Sequence, residues 1–299
     1  MRALSILLLL TLLIACTERR GPIDLGALEG KARGGETAAV AELVDLLAVA
    51  ENNVNGRAYQ ILVDLGDRAV PMLLAKVDSP DREQREHVIA ALGNLKVKAA
   101  LPAIIKVLAD PALGRRYVAA WALGEIGDPE AIPALVGALG DPDAEVRKYA
   151  TRSLIKFNRQ AVPALLAALP AASDLAGAGM VRALGDIADP AALDALLALV
   201  DGPNRREVFT ALGKLRDPRA ESALIAGLGD SDWQVRMNAA MALGPIGTPA
   251  SIKALQRSME DEVHVVREWS ARSLEMIGGS HVKYRNEKGE YVAPYAIYH

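Results

Sequence analysis

One leucine recurs along this chain with a regularity that a single compact core has no reason to produce. Ala91-Leu92-Gly93, Ala122-Leu123-Gly124, Ala183-Leu184-Gly185, Ala211-Leu212-Gly213 and Ala242-Leu243-Gly244 are one motif. Ser153-Leu154 and Ser273-Leu274 fill the gaps, and Leu62 extends the series backwards. The eight marker leucines stand 30, 31, 31, 30, 28, 31 and 31 residues apart. A period of this length belongs to arrays of stacked units, each of which buries its apolar face only against its neighbours.

Each unit divides in two. Asp128-Pro129-Glu130 opens one, with an Asp cap and a Pro that the first helical turn tolerates. Residues 131–139 then have the apolar spacing of a helix, Gly140-Asp141-Pro142-Asp143 turns the chain, and residues 145–156 make a second helix. Asp189-Pro190, Asp217-Pro218 and Thr248-Pro249 repeat the opening, as do the inner Pro71, Pro102, Pro133 and Pro163. Of the 299 residues 51% are hydrophobic but only 4% aromatic, so the core must come from Ala, Leu, Val and Ile. Ala and Leu are strong helix formers. The expected fold is all-α, an α-solenoid of about eight helix pairs over residues 34–279. Gly177 and Gly179 interrupt the pattern where a helix should start, and the unit after them is three residues short. The array is expected to change curvature there.

The stretch from Asp141-Pro142-Asp143-Ala144-Glu145-Val146-Arg147 through Ala150 and Leu154 resembles the HEAT-like repeats of the phycobiliprotein lyase family and of many bacterial proteins. So does Asp230-Ser231-Asp232-Trp233-Gln234-Val235-Arg236 through Ala239, Leu243 and Gly244. The resemblance covers roughly residues 34–279 and specifies the fold. It implies little about activity, since HEAT arrays serve many tasks. It also implies that the second helix of each pair lines the concave surface.

With the marker leucine at 0° and about 100° per residue, the position seven before it falls on the inward face. An arginine recurs there: Arg85, Arg116, Arg147, Arg205, Arg236 and Arg267. A charge facing inward needs a partner. Asp110, Asp141, Asp143, Asp201, Asp230, Asp232 and Asp261 stand in the preceding turns. A structural Arg–Asp ladder joining successive turns is the expectation, with phosphate binding as the alternative.

Positions six, five and two before the marker lie opposite the core. They form a stripe that includes Tyr117, Trp121, Tyr149, Arg152, Arg182, Arg206, Met237, Met241, Trp269 and Arg272. Trp, Tyr, Arg and Met dominate binding hot spots. The stripe is therefore read as a groove for a polypeptide partner, the alternative being that these side chains only cover neighbouring helix ends.

The first residues read as an address. Met1-Arg2 is followed by twelve apolar positions, too few to span roughly 30 Å of hydrocarbon. They suit a signal peptide over residues 1–15. Leu13-Ile14-Ala15-Cys16 resembles the bacterial lipobox, which makes Leu13, Ile14 and Ala15 recognition residues and Cys16 the lipidated thiol. Two or more acyl chains would hold such a protein at a membrane. Thr17 in place of Asp favours the outer membrane, on its periplasmic or outer face. Residues 16–33 are expected to be a tether. At the other end, residues 280–299 hold four of the seven Tyr and read as a hairpin capping the last unit, with partner docking as the alternative.

The net charge of −3 gives no reason to expect nucleic acid as a partner. His87, His264, His281 and His299 are scattered and the single Cys sits in the address, so neither a metal site, a cofactor nor a catalytic constellation is legible. The chain is accordingly expected to be no enzyme but a membrane-anchored scaffold binding an envelope protein or peptide. Carriage of a small ligand or lipid in the groove, or a bilin-lyase-like activity attaching a chromophore, are the alternatives.

Overall fold

The computed structural model describes residues 23–294; the expected signal peptide and Cys16 lie outside the described residues, as do Tyr295 and Tyr298. The described chain is a row of helix pairs. The first helices are α2 (Thr37–Asp45), α4 (Val70–Leu74), α6 (Leu101–Ala109), α8 (Ile132–Ala138), α10 (Val162–Ala168), α12 (Leu193–Leu197), α14 (Glu221–Gly227) and α16 (Pro249–Ser258). The second helices are α3 (Val54–Leu65), α5 (Arg82–Asn94), α7 (Tyr117–Ile126), α9 (Ala144–Phe157), α11 (Asp174–Ile187), α13 (Arg205–Leu215), α15 (Trp233–Ile246) and α17 (His264–Gly278). Eight pairs result among the described residues, as the leucine period requires.

The polar residues at the openings act as caps. Asp128, Asp189 and Asp217 accept from the backbone N–H two residues on, at 3.1, 2.9 and 3.0 Å. Asp143 and Asp232 cap α9 and α15 in the same way, each at 2.9 Å. Each such bond satisfies an N–H that the helix itself leaves without an acceptor, worth about 1 kcal/mol. The first helices are short because several are entered through a 3-10 turn, such as Pro129–Ala131 or Pro218–Ala220, that consumes the first residues of the expected helix.

Leu62, Leu92, Leu123, Leu154, Leu184, Leu212 and Leu243 are wholly buried, and Leu274 nearly so. The motif around them has a second use. A Cβ added to Gly93 would stand 2.9 Å from the Cβ of Ala122, and one on Gly185 would stand 2.7 Å from the Cα of Ala211. Gly124, Gly213 and Gly244 meet Ser153, Ala242 and Ser273 in the same relation. At these five markers the glycine that follows thus seats the small residue before the next marker. Ser153 and Ser273 use that closeness to donate to the carbonyls of Ala120 and Ala240, at 2.8 and 2.6 Å.

Two expectations need correction. The tether foreseen for residues 16–33 is, from Leu25 to Arg33, a helix, α1. Asp24 caps it through Ala27 N–H at 3.0 Å, and Leu25 and Ala32 are buried in the core, so packing overrides a polar, Gly-containing sequence. Gly34 and Gly35 end it, Gly35 with φ +96°. Nor do Gly177 and Gly179 break a helix: α11 runs through both, capped by Ser173. Their lack of a Cβ admits Asn204 Nδ2 and Leu139 Cδ2, 2.9 and 3.2 Å from where one would be.

The tail folds back as an antiparallel pair, β1 (Tyr284–Arg285) with β2 (Tyr291–Val292), in the register Tyr284 opposite Val292. It packs on α17.

Candidate functional site

Successive second helices pack closely along their length, whereas successive first helices touch sparsely. The more closely spaced layer is the inner one, so the second helices face the concavity. The expected stripe lies on this face, half-buried at Tyr117, Trp121, Tyr149, Met237, Met241, Trp269 and Arg272, and exposed at Arg152, Arg182 and Arg206.

Part of the stripe forms one cluster. The Tyr117 and Tyr149 rings stack with centroids 5.2 Å apart, and Arg152 lies over Tyr149 at 5.5 Å. Tyr117 donates to Glu86 at 3.3 Å. Burial and the nearby Glu86 carboxylate push the Tyr117 hydroxyl above its ordinary pKa, so it stays a donor at neutral pH. Trp121 lies against the α5 backbone, its ring 3.2 Å from where a Cβ on Gly93 would be. Further along, Arg272 covers the Trp269 ring at 4.9 Å while bound to Glu268 at 2.6 Å. Such cation–π contacts are worth about 0.5–1 kcal/mol at exposed sites and fix the rings face-up.

The inward arginines divide into two groups. Arg116, Arg205 and Arg236 each bind an Asp from the turn of the following unit: Asp141, Asp230 and Asp261. Burial alone would raise the Asp141 carboxyl, but Arg116 and the Asp143 N–H outweigh it and hold it below the usual carboxylate range. Arg85 and Arg147 spend their guanidinium on carbonyls of their own turn, Ser79 at 2.7 Å and Asp141 at 2.7 Å. Arg267 donates to Asp261 O and also to Arg285 O and Asn286 O of the tail, at 2.6 and 3.1 Å. The acids therefore come from the turn ahead, not the turn before, and the tail stands where a ninth turn would be. Asp110, Asp143 and Asp232 act instead as caps, Asp232 also holding Arg206.

A cavity of about 580 Å³ opens on the concave face between α11, α13 and α15. Small residues make its floor: Gly185, Thr210 and Ala211. Arg182 and Asp186 flank it on α11, Arg206, Glu207 and Lys214 on α13, and Gln234, Met237 and Asn238 on α15. Arg206 is paired with Asp232 and Lys214 with Asp186, while neither Arg182 nor Glu207 has an ion-pair partner among the described residues. Asn238 is fixed by bonds to Arg206 O at 3.1 Å and Thr210 Oγ1 at 2.9 Å. The stripe contained Arg182, Arg206 and Met237 but missed Asp186 and Lys214. Both stand two residues after a marker leucine, at about 200° on the helical wheel, which is equally a concave position. Among the described residues no three His, Cys, Asp or Glu converge as a metal site needs, and no helix is long and apolar enough to cross a membrane.

Paired helices in eight stacked units, with a polar and aromatic inner face, define an α-solenoid with a ligand-accessible concavity. The chain belongs to the HEAT-repeat family: the HEAT repeats model matches residues 70–155, 137–208 and 200–275. It is 40% identical over 72 residues to Phycocyanobilin lyase subunit alpha of Picosynechococcus sp., a match that spans 22% of this chain and only 27% of that relative. Among solved structures it is similar to the complex of CpcE and CpcF of phycocyanin lyase from Nostoc sp. PCC7120, with 26% identity over 68% of this chain and 86% of that one and a TM-score of 0.37. Importin beta superposes with a TM-score of 0.60 at 15% identity, covering 82% of this chain and 43% of that one, a likeness of fold alone.

The lyase match overturns the expectation that the chain is no enzyme. That expectation rested on scattered His residues and one Cys, which speak only to nucleophilic and metal chemistry.

Proposed function

We propose that this solenoid is a bilin-lyase-type protein that holds a linear tetrapyrrole at its concave face while the chromophore is attached. The 40% identity over 72 residues to Phycocyanobilin lyase subunit alpha carries the reading. The groove supports it chemically. A bilin is a conjugated, mostly apolar strip bearing two propionate carboxylates, and the concave face offers stacked rings at Tyr117 and Tyr149 and cations at Arg152 and Arg182. Incubation of the purified chain with phycocyanobilin and an apo-phycocyanin subunit tests the reading. A covalently coloured band on a denaturing gel, formed faster than without the chain, is expected; equal rates would sink it.

The same aromatic and basic stripe also suits a polypeptide, which here would be the acceptor presented to the chromophore. Arg272 held over Trp269 favours this second use, since a fixed ring and a partly neutralised cation suit a carbonyl-rich segment better than a free carboxylate.

We further propose export and lipid anchoring through Cys16, on the strength of the sequence Leu13-Ile14-Ala15-Cys16 alone. Mass spectrometry of the protein from native membranes should find an acylated Cys16 as its first residue. An unmodified Met1 start would remove the proposal and with it the placement at the outer membrane.

A further inference from the structure

The concave cavity between α11, α13 and α15 carries one cation and one carboxylate that have no ion-pair partner among the described residues. Several charges on this face are matched across neighbouring units: Lys156 with Glu125, Lys214 with Asp186, Arg206 with Asp232, Arg115 with Glu86. Arg182 and Glu207 line the same cavity on neighbouring helices, yet neither has an ion-pair partner among the described residues. Two opposite charges that share a cavity without pairing leave both free for a ligand that offers an acceptor and a donor together.

The floor explains why there is room. Gly185, Thr210 and Ala211 stand where longer side chains would close the space, and Asn238 ties Thr210 Oγ1 and the Arg206 carbonyl so that neither competes for a ligand. At about 580 Å³ the cavity falls within the range, roughly 300–1,000 Å³, of pockets that enclose organic cofactors. From Arg206 to Lys214 it follows α13 for eight residues, about 12 Å at 1.5 Å per residue. It is elongated, with Met237 on one wall as its soft apolar contact.

We propose that this cavity is the seat of the bilin, with Arg182 taking a propionate carboxylate and Glu207 accepting from the pyrrole N–H groups. The inference rests on the bilin-lyase reading and deepens it. A linear tetrapyrrole presents anionic carboxylates on one edge and N–H donors on the other, which a lone anion or a fatty acid does not. The guanidinium gives a planar, charge-assisted fork for the carboxylate. The Glu207 carboxylate is an acceptor only, matched to N–H donors.

The test is a titration of phycocyanobilin into the full chain, read by its visible absorbance, with the dimethyl ester of the same bilin as a second probe. Arg182→Ala should weaken the free acid roughly tenfold to a hundredfold, the loss expected for one hydrogen bond to a charged group. It should leave the ester unchanged, because the ester has already lost the charge that Arg182 reads. Glu207→Gln should weaken acid and ester alike and alter the bound absorbance band. Arg182 is exposed, so the variant's thermal midpoint should match the parent's and folding will not confuse the result. If the parent binds phycocyanobilin and both variants bind it equally, the bilin sits elsewhere and this site is wrong while the lyase reading stands. If the parent binds neither probe, the reading itself falls and the site with it.

Discussion

Arg236 grips Asp261 across the boundary between two helix pairs, Nε 2.7 Å and Nη2 3.1 Å from the two carboxylate oxygens. The guanidinium also reaches back to Asp230 O at 2.9 Å, so one side chain ties its own turn to the next. Both side chains are about nine-tenths buried. Removing one partner strands the other away from water, which costs about 3–5 kcal/mol. Arg236→Ala should therefore lower the urea midpoint far more than Arg205→Ala, whose pair with Asp230 is partly open to solvent and is worth about 1 kcal/mol or less. Equal shifts in the two variants would show that these contacts are not what joins the units.

Gly185 and Gly30 make opposite predictions for the same substitution. Both lie inside helices, where Ala is preferred by about 1 kcal/mol. A Cβ on Gly30 meets nothing within 4 Å, so Gly30→Ala should stabilise by up to about that amount. A Cβ on Gly185 meets the Ala211 backbone at 2.7 Å, and helix backbones move only together. Gly185→Ala should destabilise by about 1–3 kcal/mol despite the better helix former. Chemical denaturation of the two variants settles it, and a stabilised Gly185→Ala would mean that the close stacking is not required.

The period of the marker leucines made the helix pairs legible, because burial against both neighbours demands the same residue in each unit. The concave stripe followed from the same wheel. Legibility ended where contacts cross between units. Nothing local to Arg116 shows that its acid, Asp141, lies ahead of it and not in the turn behind. The helix at Leu25–Arg33 was hidden because its stability comes from burying Leu25 and Ala32, which a polar, Gly-containing stretch does not advertise. The cavity was half visible: Arg182 and Arg206 were on the stripe, but the small floor at Gly185, Thr210 and Ala211 reads from sequence as ordinary packing.

The boundary between α9 and α11 lacks both kinds of inter-unit contact. After Leu154 the seating glycine is replaced by Ile155, and Ala171 stands two residues before the α11 cap Ser173, the place that Asp141, Asp230 and Asp261 hold at other turns. Arg147 accordingly has only the carbonyls of Asp141 and Pro142 to bind. The α9–α11 stack is correspondingly sparser than the α7–α9 stack. Solenoid stability is close to a sum of nearest-neighbour terms. Native-state hydrogen exchange in low urea should show the units before and after this boundary opening separately. A single opening free energy shared by α9 and α11 would rule the seam out.

Glu221 links two units through three donors. Its Oε1 accepts from Thr248 N–H at 3.0 Å, from the Thr248 hydroxyl at 2.7 Å and from the Ser251 hydroxyl. The Ser251 bond, helped by those of Thr248 and opposed by burial, lowers the carboxyl pKa below its ordinary value. A depressed folded-state pKa means that the unfolded chain takes up the proton first. The contribution is thus fully present above the unfolded Glu value of about 4.3 and is lost as pH falls from there through the folded value. Glu221→Gln removes the titration but not the side-chain shape. At pH 7 the variant should be less stable than the parent, and the gap should narrow as the pH is taken from 6 to 3. Urea midpoints at the two ends measure this directly, because every other carboxylate titrates equally in both proteins and cancels in the difference. A gap that stays constant, or widens with acid, would show that Glu221 contributes shape and not charge to the junction between α14 and α16.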